Sequence, residues 1–502
     1  MRKLLFGLIF GFILTGNLQS QTGNPGIDEV FRPGELGRMD ITLSASDKKL
    51  LVEGDPDSDF YYSVSLRFRN SLLDTTVTNV GIRIRGRSSR WHPKRSYKID
   101  FKEFGGEKFF NYKKFDLEPN INDPSLAREP LSCILYKEMG VPAMRYHFHT
   151  LYMNNEFMGV YLNIEQIDDE FVDRRFGSES GNLYKSSYSV GLTPENDIYN
   201  DEILELKTNE DINDRSAVER LIHILATVHG GAFEDSIESV FNVDNYLRQL
   251  AVETLIGHWD GYSYMGSNYY LYENPKTRKI EYIPYDLDNT WGIDWIGRDW
   301  ESRDLFNWAH ENGGRPLTQR ILEVNEYKHR YAEYLKELLD KHFTEPDIQS
   351  QFDQISSLIY EPLADDLYYS HEDGYGFTTG DFTRSISESG PAWQVKFGIL
   401  EYLGIRRSTA LDQLDLISGS GSDVYSDQNI RLFPNPVKDI LNIEVRDSEL
   451  YQVQLIYGNG RVLFVKDGPE SSQLDMSTFP QGIYMIKIST TKGMIVRKVF
   501  KE

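Results

Sequence analysis

The sequence predicts an α+β protein: a β-rich first part, a helical later part and a small all-β module at the end. Three observations point there. From Arg38 to about Asp100 the segments MDITLS, YYSVSLRFR, TTVTNVGIRIRG and RSYKIDF alternate with period two and are rich in β-branched and aromatic residues. From Asp214 to Ile256 apolar residues recur at three and four, in AVERLIHILATVHG and VDNYLRQLAVETLIG, and residues 300–416 stay mostly helical. Beyond a flexible SGSGS linker at 418–422, short strands return with Gly turns at Gly458–Gly460 and Gly482, the pattern of an antiparallel β-sandwich.

The chain begins with Arg2 and Lys3, an apolar run from Leu4 to Leu14, and small or polar residues to Ser20, as in a secretory signal peptide over 1–20. Residues 21–37 form a polar leader. No later stretch approaches a membrane span. Within the β-rich part, Arg83, Arg85, the Gly86–Arg90 turn with Ser88 and Ser89, and Lys98 make a dense basic patch in an acidic protein. A strand–turn–strand with cations on one face suits a phosphate cradle of backbone N–H groups, Lys and Arg. The same charges could instead blunt an edge strand. Asp123 to Gly140 reads as a helix with a polar start and a Gly stop, enclosing the sole cysteine, Cys133, as a small hydrophobe. One Cys excludes an internal disulfide. YHFHTLYMN and EFMGVYLNIEQID form a hairpin turned at Asn154-Asn155, whose His147 and His149 read as packing. Glu165, ending that hairpin, either faces a cleft or begins the next loop. Lys185 and Lys207 sit in further short strands. Asp244 is the expected N-cap of the helix that runs into Gly257. An amphipathic helix is expected over Trp393–Leu414.

Residues Gly257–Gly292 concentrate the chemistry. Asp260 lies in a loop, Asn268 opens the strand NYYLYE, a polar turn covers Asn274–Lys279, and KIEYIPY leads into Asp286 and Asp288. A hairpin would bring these four to one end, where three carboxylates and an amide oxygen suit a hard divalent cation such as Mg²⁺. Alternatively these residues cap turns. An EF-hand is disfavoured, since Trp291 and Gly297 occupy the positions that need Gly and Glu. A net charge of −23 disfavours a nucleic-acid partner or an anionic membrane surface, while leaving room for a nucleotide on the local basic patch.

The blocks VGIRIRGRSSR…KRSYKIDF, LAREPLS, FMGVYLNIEQID, VDNYLRQLAVETLIGHWDGYSYMGSNYYLYEN and IPYDLDNTWG, in this order over roughly residues 38–415, resemble the spore-coat CotH family. That resemblance implies a divergent two-lobed protein-kinase-like fold over 38–416, binding ATP and Mg²⁺ between the lobes. It implies that Lys98 holds the nucleotide phosphates, with Arg83, Arg85, Ser88 and Ser89 nearby, and that Asp260 is the catalytic acid. Asn268 and Asp286 would bind Mg²⁺, with Asp288 as second choice, and Glu165 would stand near the adenine. The usual HRDxxxxN signature is absent. After the linker (417–428), LFPNPV, LNIEV, VQLIYGNGRVLF, LDMSTFPQGIYMIKIST and GMIVRKVF over 429–502 resemble the C-terminal sorting domain of type IX secretion. This implies a Bacteroidetes-type source, the type IX machinery as partner, and a final place at the cell surface or in the medium. The expected function is an exported kinase acting on Ser or Thr of a secreted or surface protein. The alternatives are an inactive kinase-fold scaffold or a metal-dependent phosphoester hydrolase.

Overall fold

The computed structural model describes residues 29–86, 89–370, 376–390, 392–418, 430–445, 451–457, 462–468, 471–490 and 493–502. The expected signal peptide, most of the leader, nearly all of the linker, the Gly458–Gly460 turn and Ser88 lie outside them. Two compact units are present, Met1–Arg406 and Arg407–Glu502. Their division falls inside the helix Ile399–Ser418, at whose end the sequence places its boundary of 416/417.

The first unit starts with a closed barrel of β1 (Gly37–Thr42), β2 (Tyr62–Arg69), β3 (Asp74–Ile84), β4 (Tyr97–Asp100), β5 (Lys114–Glu118), β6 (Tyr146–Met153) and β7 (Glu156–Ile164), in the order β1-β2-β3-β4-β5-β7-β6. Alternation fills its interior: Val64, Leu66 and Phe68 of β2 point inward between polar neighbours. They meet Phe101, Phe109 and Phe115, with Phe101 stacked on Phe109 at 5.1 Å and edge-on to Phe115 at 5.0 Å. Each fully buried side chain of this size contributes roughly 1.5–3 kcal/mol. The barrel closes by parallel pairing of β1 with β6, Gly37 opposite His149. A Cβ on Gly37 would stand 2.4 Å from the His149 ring, so only glycine lets the strands meet. His147 and His149 are both buried there, with the His147 Nδ1–H donating to the Val30 carbonyl at 2.8 Å.

A second sheet joins β8 (Leu183–Ser186), β9 (Leu204–Leu206), β10 (Tyr269–Asn274) and β11 (Lys279–Pro284) in the order β11-β10-β8-β9. The expected hairpin is β10–β11, with Tyr269 opposite Pro284. The helix Val243–Ile256 is buried on nearly every face and ends in Gly257 at φ +70°, which turns the chain into the loop of Asp260. Further helices cover Ser216–Thr227, Gly231–Val240, Pro316–Glu323, Asn325–Lys341 and Glu345–Leu363.

Several sequence expectations are corrected. The N-cap is Asn242, whose side chain accepts from the Asn245 N–H; Asp244 lies in the first turn and pairs with Arg248 and Arg330. The helix expected from Asp123 starts at Arg128, because Asp123 is buried as the ion-pair partner of Arg128. The last helix starts at Ile399 rather than Trp393, since Val395 forms a bridge with Ile293 and the Lys396 N–H donates to the Gly292 carbonyl. Residues 300–315 are loop with one short 3₁₀ turn, Leu305–Asn307.

The second unit pairs Ile430–Phe433, Ile440–Val445 and Ser471–Asp475 in one sheet. Val462–Gly468, Tyr451–Tyr457, Gly482–Thr490 and Gly493–Lys501 form the other. Leu441, Ile443 and Leu474 from the first share a core with Val453, Leu455, Ile486 and Val499 from the second, as expected of a sandwich.

Candidate functional site

A cleft of about 760 Å³ opens where β3, β4 and β5 of the barrel face the β8–β10–β11 sheet. One wall is basic. Arg83 lies opposite Lys98 on β3–β4, and Lys98 opposite Asp116 on β4–β5, so strand register alone brings these three together. Arg85 follows β3, 3.4 Å from Asp116, and donates to the Tyr285 hydroxyl at 3.0 Å. Lys185 of β8 also lines the cleft. Burial opposes the charge of Asp116, but Arg85 and Lys98 hold its carboxyl below its ordinary value. Asp116 supports the charge of Lys98, 3.7 Å away, yet burial together with Arg85, Lys114 and Arg83 outweighs it and lowers the ammonium to about 8. The two shifts agree physically: Asp116 sees several cations, whereas Lys98 has Asp116 as its main anion among several like charges. Burial, then Arg85, also lowers Lys185. Arg85 also pairs with Glu118, and Arg83 with Asp59, which leaves Lys98, 3.7 Å from Asp116, and Lys185 as the cations of this wall least matched by a close carboxylate and best placed for an anion. The turn after β3 belongs to it: Gly86 has φ +97°, and a Cβ there would meet the Ser89 hydroxyl at 2.1 Å.

The opposite wall is acidic. Asp260, Asn268, Asp286 and Asp288 all line the cleft, joined by Glu129, Asn122 and Asn289. Asn268 and Asp286 have φ of +53° and +55°, a conformation that side chains other than Gly adopt mainly where surrounding contacts impose it, often at functional sites. The Tyr285 N–H donates to the Asn268 carbonyl, and His258 Nε2–H donates to the Asp286 carbonyl at 3.1 Å, pinning both ends of the hairpin. Asn289 donates to Asp260 at 3.2 Å and Asn122 to Asp288 at 3.0 Å. Among the described residues none of Asp260, Asp286, Asp288 and Glu129 has a Lys or Arg ion-pair partner. Burial, and then the Asp286 charge, push Asp260 up to about 7 and Glu129 up to about 8. Asp288 is driven well above its ordinary value by burial, Asp286, Glu129 and Asp260. Its Oδ1 is buried without a hydrogen-bond partner. An orphaned carboxylate oxygen amid acids that no cation among the described residues pairs with suits a hard divalent cation.

Three acidic side chains whose oxygens lie within 4.8 Å of one another occur, among the described residues, only at Asp168, Asp169 and Glu170. There Asp168 caps a helix and Lys108 and Lys113 pair with the other two. The cleft acids are more widely spaced than the sequence suggests.

Glu165 is the residue the structure moves out of the site. Ile164 reaches the cleft; Glu165, next along the chain, turns away and is fully buried against Arg145, Arg174 and Arg175 at 2.7, 2.8 and 2.7 Å. Burial opposes its charge, but Arg175, Arg145 and Arg174 hold its carboxyl far below the usual range. The place beside an adenine expected for it is therefore corrected to the hub of an ion-pair cluster. Conversely, sequence reasoning passed over Glu129, present in the LAREPLS block without a role, and Asn289, one residue past Asp288. The spacing of Asn289 next to the DLD run was a usable signal. Glu129 had none, because only tertiary packing sets it against Asp286.

Residues 82–388 match the CotH kinase protein family. The chain belongs to that family. Residues 431–502 match the secretion system C-terminal sorting domain. The CotH chain is 28% identical to the inner spore coat protein H of Bacillus subtilis over 291 residues, 56% of this chain and 78% of that one. It is 20% identical to the invasin CotH2 of Rhizopus delemar over 375 residues, spanning 70% of this chain and 63% of that protein's length. The Helicobacter pylori proinflammatory kinase CtkA aligns over 50% of this chain and 89% of its own at 10% identity, with a TM-score of 0.23, too low to bear on the fold. The protein is thus a kinase-like CotH domain followed by a type IX sorting domain, and no helix among its described residues is long and apolar enough to cross a membrane.

Proposed function

We propose that the cleft transfers the γ-phosphoryl group of ATP to a Ser or Thr hydroxyl of a secreted or surface protein. The observation that carries this reading is the separation of charge within one cavity, cations on one wall and uncompensated acids on the other. Lys98, assisted by Arg85 and Lys185, would hold the phosphates, with Gly86 and Ser89 beside them. Asp286, Asp288 and Asn268 would hold Mg²⁺, which when bound neutralises phosphate charge and orients the phosphates. Asp260, fixed by Asn289, would orient the acceptor hydroxyl and take its proton as the oxygen bonds to phosphorus and ADP leaves. Such catalysis is positioning and charge stabilisation, so few side chains suffice. The sorting domain supports export through the type IX machinery, and the N-terminal 20 residues support prior passage of the inner membrane by a signal peptide.

The test is thermal unfolding with and without ATP and Mg²⁺, followed by phosphate transfer to surface proteins. A ligand at a hundred times its Kd adds about 2.7 kcal/mol, a shift of a few degrees for a domain this large. The expected outcome is a Mg²⁺-dependent shift lost in Asp286→Ala, and transfer abolished in Asp260→Asn. No shift with ATP well above millimolar would instead favour a scaffold that keeps the fold.

A further inference from the structure

Beside the cleft lies a second groove of about 520 Å³ with different chemistry. Trp91, Pro93, Pro119, Ile121, Trp295 and Phe377 give it an apolar, largely aromatic lining. Its lysine, Lys94, offers no free charge: the ammonium is buried, donating to Asp366 at 2.7 Å and to the Val160 carbonyl at 2.9 Å. A phosphate therefore gains nothing here, and an apolar group does. Trp91, Trp295 and Trp393 are 67%, 37% and 72% exposed, an unusual outlay of indole on a surface.

Groove and cleft share one wall, the segment Pro119–Asn122. Two hydrogen-bond chains cross from that region to the acids. The Trp295 indole N–H donates to Asn289 Oδ1 at 2.9 Å, which leaves the Asn289 amide to donate to Asp260. Asn122, on the shared wall, donates to Asp288. Asn120 lines both cleft and groove, and its buried side-chain amide nitrogen has no hydrogen-bond partner. A buried donor without an acceptor is costly, and a peptide carbonyl in the groove would satisfy it.

We propose that this groove is the acceptor site, binding a polypeptide that carries an aromatic or large apolar residue beside the Ser or Thr presented to Asp260. The inference rests on the phosphoryl-transfer reading above. Trp295 and Trp393 meet edge to face, 5.2 Å apart at 88°. Trp295 lines the groove and Trp393 packs on it, so the pair presents a stepped edge rather than the flat platform that a sugar face stacks on. Asn120, Asn122 and Gln394 supply amides for the backbone of an extended chain.

The experiment uses the full chain and fluorescence polarisation of two short labelled peptides that differ only in Trp or Ala next to a central Ser. The Trp peptide is expected to bind about tenfold more tightly. Trp91→Ala and Trp393→Ala, at exposed positions that cost the core nothing, are expected to erase that preference. Asn120→Asp, which removes the donor and keeps the shape, is expected to weaken both peptides alike. Equal binding of the two peptides, a preference that survives both Trp substitutions, or displacement by an N-acetylglucosamine oligosaccharide overturns the proposal. The Mg²⁺–ATP thermal shift of the wild type is read alongside. Peptide preference without a shift would sink the phosphoryl-transfer reading and keep the groove, and a shift without preference would do the reverse.

Discussion

Glu165 and Glu129 are two buried glutamates of the same unit with opposite company. Glu165 is clasped by three arginines and ionised at any ordinary pH. Glu129 faces Asp286, with Asp288 and Asp260 close by, and burial and Asp286 push it up to about 8. Folding on its own completes the first site, because each charge has its counter-charge in the chain. The second holds acids that no cation among the described residues matches and that therefore ionise reluctantly, an arrangement tolerated where something outside the chain supplies the balance.

The largest way to break this contrast is Glu165→Ala, which strands three buried or half-buried guanidinium groups. It is expected to cost about 3–5 kcal/mol in denaturant unfolding. A loss under 1 kcal/mol would mean that the arginines find water or other partners. The cleft should respond with the opposite sign. Asp288→Asn, measured without divalent ions at pH 8, is expected to stabilise the fold by about 1–2 kcal/mol, while lowering Mg²⁺-dependent stabilisation. Destabilisation there would show that Asp288 is already satisfied.

A pH titration sharpens the same point. Asp260 and Glu129 have folded values near 7 and 8, above the ordinary carboxyl range, so the folded state binds more protons between about pH 4 and 8. Stability without Mg²⁺ should therefore fall as pH rises from 5 to 8, by about 3 kcal/mol, most of it from the buried Glu129. Added Mg²⁺ should flatten the slope. Glu165 is shifted downward, so its contribution is complete above the unfolded value and is lost only as the pH falls below about 4. A flat profile from 5 to 8 without Mg²⁺ would contradict the imbalance.

The smallest effect expected is Trp295→Phe. It keeps a ring in the groove and removes the N–H that orients Asn289. A fall in kcat of about threefold to tenfold with KM preserved is expected, and an equal change in both would make Trp295 a packing residue only.

Much of this was legible locally. The hairpin Tyr269–Pro284 shows itself by period-two aromatics around a polar turn, and with it the convergence of Asp260, Asn268, Asp286 and Asp288 on one cleft. The basic register of Arg83, Lys98 and Asp116 follows from strand pairing, although Asp116 itself drew no notice. What could not be read was direction and depth. Glu165 differs from Ile164 by one step of the pleat, and that step decides between cleft and core. Asp123 looks like a helix start but pairs instead with Arg128, because buried charge demands its partner before a cap demands its oxygen.

Barrel closure governs how the molecule can be made. Thr150, 113 residues beyond Gly37, donates its hydroxyl to the Gly37 carbonyl along the β1–β6 seam. Until β6 has been synthesised, the growing chain can only hold an open sheet with raw edges on both sides, the state most prone to pairing with another copy. Trimming at the amino end already does damage before β1, because Val30 and Phe31 are buried in the barrel core and the Val30 carbonyl holds His147. Loss of β1 as well would expose one edge each of β2 and β6 and turn a closed barrel into an adhesive sheet.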